Sequence, residues 1–403
     1  MFKATVSGTL SFCLFTAVES AAETIRVPGD QPTIQAGIDA AGDGDLVLVS
    51  PGVYKETIRF NGKAITLRGR AGRDRTTINA SGLSGPAVMC RDGEGPDTVF
   101  DGFTVTGGTG FRSQTGSECG GMYNAGSSPT VIDCAFVDNR VIETDRRWAV
   151  GGAMLNSGAG PMIVRCSFVE NIALAKNKFC PGGAVFNENG ATPTFIDCQF
   201  IRNRAGSGGA IANYWDASPT MINCMFVGNR AAGGAVWNLG RSSRTTIVNG
   251  LFLGNESSVH AGVLFNEDGE VTITSGTLIG NHGGSHYGSA ILEYGGTVTL
   301  LNSIFRANGG DQAIYGRNVS ISYSNVEGGW PGEGNIDADP LFVTGPLGDF
   351  YLSHVAAGQD EDSPCINAGL GRVRDYGLKK FTTRTDEVRD RRAVDMGYHF
   401  PRR

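Results

Sequence analysis

Charge is scarce in this chain of 403 residues: Asp, Glu, Lys and Arg make up 18%, and the formal net charge is −6. A chain without a basic surplus is a poor partner for nucleic acid or an anionic membrane, since both draw most of their affinity from Lys and Arg. Long apolar runs are missing too. Beyond the first twenty or so residues no stretch approaches the roughly 18 apolar residues of a membrane span. Histidine is rare, with five in all, and only His282 and His286 lie close in sequence, in a glycine-rich turn without a neighbouring carboxylate. That pair is read as surface turn rather than metal site. The acidic runs at Asn335–Asp339 and Asp360–Asp362 lack the spacing of an EF-hand loop; Ca²⁺ as a brace is the one cation they could take, and otherwise no cofactor is expected.

What the chain has in abundance is glycine, 60 residues of it, and repetition. Seven segments end in a bulky residue followed three places later by Asn: FVDN, FVEN, FIRN, FVGN, FLGN, LIGN and FRAN, with Phe136, Phe168, Phe200, Phe226, Phe252, Leu278 and Phe305 spaced by 32, 32, 26, 26, 26 and 27 residues. A Gly-Gly-Ala-like step followed by Asn recurs in phase, at Asn124, Asn156, Asn187, Asn213, Asn238 and Asn266, with Glu293 in the next turn. Two marks locked in phase mean stacked structural repeats.

Within a repeat the period is two. Ile132, Cys134 and Phe136 are apolar or small, with Asp133 between them, and Val164/Cys166/Phe168, Ile196/Cys198/Phe200 and Ile222/Cys224/Phe226 repeat the arrangement. That is strand spacing, with these residues expected on one inward face. Units of about 26 residues with several short strands and Gly or Asn at the corners are coils of a parallel β-helix. One coil cannot offset the conformational entropy of ordering its own backbone, so coils must pair with the ones above and below. The Asn columns suit this, because Asn tolerates left-handed turns and its amide can bond the same amide one coil away. The expected fold is all-β: a right-handed parallel β-helix of about ten coils. A short helix should cap its N-terminal end, with Thr33 as N-cap and Ile34, Ile38 and Ala41 on one face. Residues 1–22 read as an export signal, 23–344 as the β-helix with its cap, and 345–403 as an irregular C-terminal capping segment.

Removing the leader leaves eight cysteines. Cys134, Cys166, Cys198 and Cys224 hold the same place in consecutive repeats, continued by Gly250, Gly276 and Ser303. Residues stacked in register lie about 4.8 Å apart, more than the roughly 3.8 Å Cβ separation of a disulfide, so these are read as buried thiols. Cys90, Cys119, Cys180 and Cys365 stand outside that column and could pair, Cys119 with Cys180 first of all, through the loops they border.

The run IRVPGDQPTIQAGIDAAGDGDLVLVSPGVYKETIRFNGKAITLRG, followed by FDGFTVTGG, resembles the opening of pectin-lyase-like right-handed parallel β-helix proteins. The paired GGA and FxxN marks resemble the repeats of polymorphic outer membrane proteins and autotransporter-like surface proteins. The stretch NIDADPLFV through DMGYHF resembles the closing segment of secreted β-helix proteins often grouped with the choice-of-anchor proteins. Together the resemblances cover residues 24 to 400 and imply fold and export. They leave activity open, because this fold hosts lyases, hydrolases, esterases, epimerases and non-catalytic adhesins. The RxPxxR-like and WIDH-like strings of pectate lyases are absent, as are the NTD and GHG strings of polygalacturonases, the DPHD string of alginate epimerases and the DFIFG-like strand of pectin esterases.

One constellation keeps an enzymatic alternative alive. The residue before the cysteine column reads Asp133, Arg165, Asp197, Asn223, Asn249 down successive coils, placing an Arg between two Asp. Long insertions at Val141–Val150, with Arg146, Arg147 and Trp148, and at Ala173–Cys180, with Lys176 and Lys178, are expected beside that column. Together they could form a groove for an anionic polysaccharide, with Arg165 or Lys176 as the base of a lyase; a cross-coil salt-bridge ladder is the plainer account. Tyr214 and Trp215 follow a turn Asn and could stack on a sugar, whereas Trp237 is read as core. The function expected is a secreted or cell-surface β-helix scaffold, monomeric, that binds an extracellular polysaccharide or cell-envelope component. The alternative is a polysaccharide lyase or glycoside hydrolase acting on an acidic polymer.

Overall fold

The computed structural model describes residues 21–112, 116–144, 148–176, 180–284, 288–309, 312–390 and 393–402. The chain is a right-handed parallel β-helix, with long parallel sheets running the length of the molecule. A 21-stranded sheet carries two strands per coil for most of its length, a ten-stranded sheet carries one, and a five-stranded sheet, running from Arg140–Glu143 to Glu256–Ser257, fills a third side in the central coils. The helix Ile34–Ala40 covers the leading end; Thr33 accepts a hydrogen bond from the Ala36 amide at 3.1 Å, and Ile34 and Ile38 are wholly buried. Among the described residues no helix is long and apolar enough to cross a membrane.

The strand reading needs one correction. In five successive coils the run through the long sheet is bent at a residue with positive φ: Asp133, Arg165, Asp197, Asn223 and Asn249 lie between +50° and +59°. A single left-handed residue rotates the chain and breaks the alternation, so the inward residue before the cysteine is not Ile132, Val164, Ile196 or Ile222 but its predecessor. Val131, Ile163, Phe195 and Met221 are wholly buried in the central core, while the four that follow are only half-buried. Asp and Asn recur in this column because their short polar side chains tolerate the left-handed region better than most.

The lumen is filled column by column. Phe136, Phe168, Phe200, Phe226 and Phe252 stack with ring centroids 5.1, 4.9, 4.9 and 4.6 Å apart and planes within 8° of parallel. The four stacked cysteines are buried thiols, each Sγ lying 3.2 to 3.4 Å from the carbonyl oxygen two residues back. Where the column turns to Gly250, a Cβ would lie 2.8 Å from Ile247 Cγ2, so a side chain there would force its neighbours to shift. The pairing expected of Cys119 with Cys180 does not occur: both are buried thiols, Cys119 packed with Val150 and Leu155, Cys180 with Val141 and Ala149.

Both Asn columns are hydrogen-bonded ladders inside the corners. Asn124, Asn156, Asn187 and Asn213 are linked Nδ2 to Oδ1 at 2.8 Å, and a Thr245 hydroxyl bridges the next step to Asn238. In the other column Asn203 Oδ1 accepts from both the backbone and side-chain nitrogens of Asn171, while Asn203 Nδ2 donates to Phe168 O and Asn229 Oδ1, all at 2.9 to 3.0 Å.

The C-terminal segment lies along a flank of the solenoid. Gly397 donates to Asn302 O, Tyr398 OH to Asn223 Oδ1, and Asn249 clamps the His399 backbone with two bonds of 2.7 Å. Tyr351, Tyr398 and Phe400 cover Leu251 and Met225 on the outer side of the long sheet. Burial and the nearby Asp390 push the Asp395 carboxyl up to about 7, and burial holds the His399 imidazole down to about 4. The acidic runs are engaged in turns: Asp337 pairs with Arg306 at 3.1 Å, and Asp362 accepts the Val355 amide at 2.8 Å.

Replacing Asn203 by Ala leaves the buried Asn171 backbone N–H without its acceptor and removes one bond each from Asn171 Nδ2, Phe168 O and Asn229 Oδ1. With each unsatisfied group costing about 1–3 kcal/mol, the variant should lose about 3 kcal/mol or more, read as a lowered guanidinium midpoint. Full wild-type stability would contradict the ladder.

Candidate functional site: an aromatic outer face

The outward residues of the ten-stranded sheet form a column of their own. Strand register places Tyr123, Leu155, Phe186, Ala212, Trp237, Phe265, Leu292 and Tyr315 side by side across eight coils. Trp237 is thus not in the lumen, as its position beside the turn Asn suggested. Inward places in this sheet belong to Val236 and Asn238, and Trp237 is half-buried on the outside. A stripe of large apolar residues on the outer face of a sheet needs a cover or a ligand.

Part of the cover is local. The strands Phe111–Arg112, Gly116–Glu118 and Trp148–Val150 form a small three-stranded sheet at the margin of the face, and Val150 and Cys119 pack onto Leu155 and Phe186. From there an unbroken series of ring contacts crosses the coils. Trp148 and Trp215 lie 6.4 Å apart, Trp215 and Phe186 6.3 Å, Phe186 and Tyr214 5.4 Å, Tyr214 and Trp237 6.2 Å, Trp237 and Phe265 4.7 Å, and His260 stacks on Phe265 at 4.3 Å. Tyr214 is wholly buried, so it supports the series and cannot touch a ligand, contrary to expectation. Trp148 and Trp215 keep 36% and 44% of their surface exposed, enough to present ring faces to solvent. Trp215 and Asp216 adopt positive φ, +50° and +68°, which lifts the Trp ring off the strand end.

Beside the Trp pair, Glu118, Trp148, Val150, Phe186 and Glu188 line a cavity of about 140 Å³. Burial raises the Glu188 carboxyl, the Glu118 charge adds to the shift, and a hydrogen bond from Ser157 opposes it. At the trailing end the same face opens into a larger cleft of about 1000 Å³, lined among others by Asp268, Glu293, Tyr294, Tyr315, Arg317 and Trp330. Tyr294 and Tyr315 are 66% and 47% exposed there. Glu293 is nearly buried and accepts the amides of Gly295, Arg317 and Asn318 at 2.7 to 2.9 Å, so it holds the cleft wall together.

The residues singled out from sequence are divided by the fold. Asp133 and Arg165 meet in a two-pronged pair at 2.6 and 2.8 Å, Arg73 caps the Arg165 carbonyl at 2.9 Å, and Asp197 is held instead by Asn223 at 2.5 Å. The hydrogen bonds from Arg165, and then its charge, hold Asp133 below the usual carboxylate range. Lys176 is exposed at the end of Ile172–Ala175 in the five-stranded sheet, so it does not border the Asp133 column as expected: a complete strand and the buried Asn corner intervene. Arg146, Arg147, Lys178 and His286 lie outside the described residues. Sequence reasoning missed Glu118, Glu188 and the trailing cleft. The signal was present in the period-two run Val185–Glu188, which puts Phe186 and Glu188 on one face.

No protein-family model matches the sequence, and none of the curated proteins matches it significantly. In three dimensions the chain is similar to pectate lyase Pel9A, with a TM-score of 0.60 over 94% of this chain and 96% of that one at 16% identity. A pectin methylesterase from carrot aligns with a TM-score of 0.43 over 76% of this chain and 89% of that one at 12% identity. The protein therefore has the pectin-lyase-like parallel β-helix fold.

The Asp133–Arg165 pair is about half exposed on both sides, where such pairs are worth under about 1 kcal/mol. Arg165→Ala should therefore leave the guanidinium unfolding midpoint almost unchanged. A large drop in the midpoint would show that the pair carries more of the stability than its exposure allows.

Proposed function

We propose that the protein is a secreted or cell-surface β-helix that binds an extracellular polysaccharide along the outer face of its ten-stranded sheet. The observation that carries this reading is the exposed Trp148–Trp215 pair, 6.4 Å apart and tilted by 32°, held from beneath by Phe186 and Tyr214. Flat apolar rings on a rigid sheet suit the apolar face of a sugar, and neighbouring carboxylates such as Glu118 and Glu188 suit its hydroxyls. The face runs across coils about 4.8 Å apart, so an extended chain could meet several rows at once, ending in the cleft at Tyr294 and Tyr315. The pectate lyase likeness is one of fold and supplies only the polymer class to try first. Export rests on the leader up to Ala22, most of which lies outside the described residues.

The test is retention of the purified protein on a panel of neutral and uronic-acid polysaccharides. Trp148→Ala and Trp215→Ala should each weaken binding about tenfold, equivalent to roughly 1.4 kcal/mol, with unchanged far-UV circular dichroism. Binding that survives the double substitution would move the site elsewhere.

A second reading is favoured by one observation: Glu188, raised by burial, lines the same cavity as Glu118. Two carboxyl groups facing one small cavity, one of them shifted upward by burial, are the kind of pair a glycoside hydrolase uses. In that case new reducing ends should accumulate on a bound polymer, and Glu188→Gln should abolish their release while retaining binding. Absence of new reducing ends on every polymer the wild-type protein binds leaves binding as the function.

A further inference from the structure

Away from the aromatic face, the C-terminal segment brings three potential donors together. One ligand atom from each of Asp390, Asp395 and His399 lies within 4.8 Å of the others. The site is built into the interior: Asp395 and His399 are 2% and 0% exposed, and Asp390 is half-buried. His399 Nδ1 lies 3.0 Å from Gly397 O and so carries the ring hydrogen, which leaves Nε2 with a lone pair. That buried Nε2 has no hydrogen-bond partner. A buried acceptor without a donor costs free energy unless something else uses the lone pair.

The surrounding structure fixes these donors in place. Asn249 holds the His399 backbone amide and carbonyl at 2.7 Å each, which sets the ring's origin on the solenoid wall. Asp395 Oδ1 accepts the Asn367 amide at 2.7 Å, and Oδ2 accepts the Thr383 hydroxyl at 2.5 Å. Each oxygen retains a second lone-pair direction. Ligating carboxylates and imidazoles oriented by such outer partners are the usual support of a metal centre.

We propose that Asp390, Asp395 and His399 bind one divalent cation of the zinc class, which ties the C-terminal segment into a closed brace along the β-helix. One imidazole nitrogen with two carboxylates is a donor set zinc accepts, with water completing four-coordination. Calcium, by contrast, takes oxygen ligands and has no use for the imidazole lone pair. Metal–ligand bonds of about 2.0–2.2 Å require donor atoms about 3.3 Å apart in a tetrahedron. The three groups therefore draw together by about an ångström on binding, a movement the half-buried Asp390 can supply.

The full-length protein, stripped with EDTA and desalted, should take up about one Zn²⁺ per chain in calorimetric titration. Its melting temperature should then rise by several degrees, as expected of a ligand that binds only the folded state. Ca²⁺ at the same concentration should leave the melting temperature unchanged. Asp390→Asn should keep the wild-type circular dichroism spectrum and lose both the uptake and the rise; His399→Gln should do the same if it folds. No uptake of Zn²⁺, uptake by Asp390→Asn equal to wild type, or an equal rise with Ca²⁺ would each overturn the assignment. None of these outcomes bears on glycan binding, which resides on a different sheet.

Discussion

The structure depends on registered stacking of buried amides. At each FxxN corner an Asn side chain sits where the backbone turns, and its two polar ends must be satisfied in a space closed to water. The solution is the next coil: Oδ1 accepts from the Asn one coil back, and Nδ2 donates to the Asn one coil ahead and to a carbonyl. A slip of one residue would leave a whole row of amides unpaired at about 1–3 kcal/mol per group, so the ladder fixes the register that the sheets then extend. The parallel Phe stack and the thiol column follow from that register, because residues at one height in successive coils must share one narrow slot.

The same stacking explains why the outer surface carries columns of distinct chemistry. Once coils are in register, any outward position becomes a stripe down the molecule, and its chemistry is set by whatever residues occupy it in successive repeats. On the ten-stranded sheet that stripe is aromatic and aliphatic, from Tyr123 to Tyr315. On the long sheet it is the left-handed column of Asp133, Arg165 and Asp197, whose charges are satisfied by pairing with neighbours. Toward the trailing coils the latter stripe is covered by the C-terminal segment through Asn223 and Asn249. The aromatic face remains exposed at Tyr315 and, beside that stripe, at Trp148, Trp215 and Tyr294.

Much of the architecture was legible because repetition is a one-dimensional signal. The phase of GGA and FxxN marks specified coils, the Asn columns specified ladders, and Thr33 with Ile34 and Ile38 specified the capping helix. What misled was the assumption of an unbroken strand. Asp133 and its equivalents look like ordinary outward residues of a period-two run, and only their left-handed φ reveals that Val131, and not Ile132, faces the lumen. The candidate site was legible only in fragments: Trp148 and Trp215 were marked, but Tyr214 proved to be support, and Glu118 and Glu188 were overlooked because 70 residues of chain separate them.

The amino-acid sequence alone determined the winding, its period and the Phe, Cys and Asn columns, since those depend on neighbours at fixed chain intervals. Tertiary structure decided which outward columns stay open and which are covered. It also separated Lys176 from the Asp133 column, and it gathered Asp390, Asp395 and His399 around one point. Those outcomes depend on where a loop or terminal segment folds back across the solenoid, a choice made by long-range packing that leaves no period in the chain.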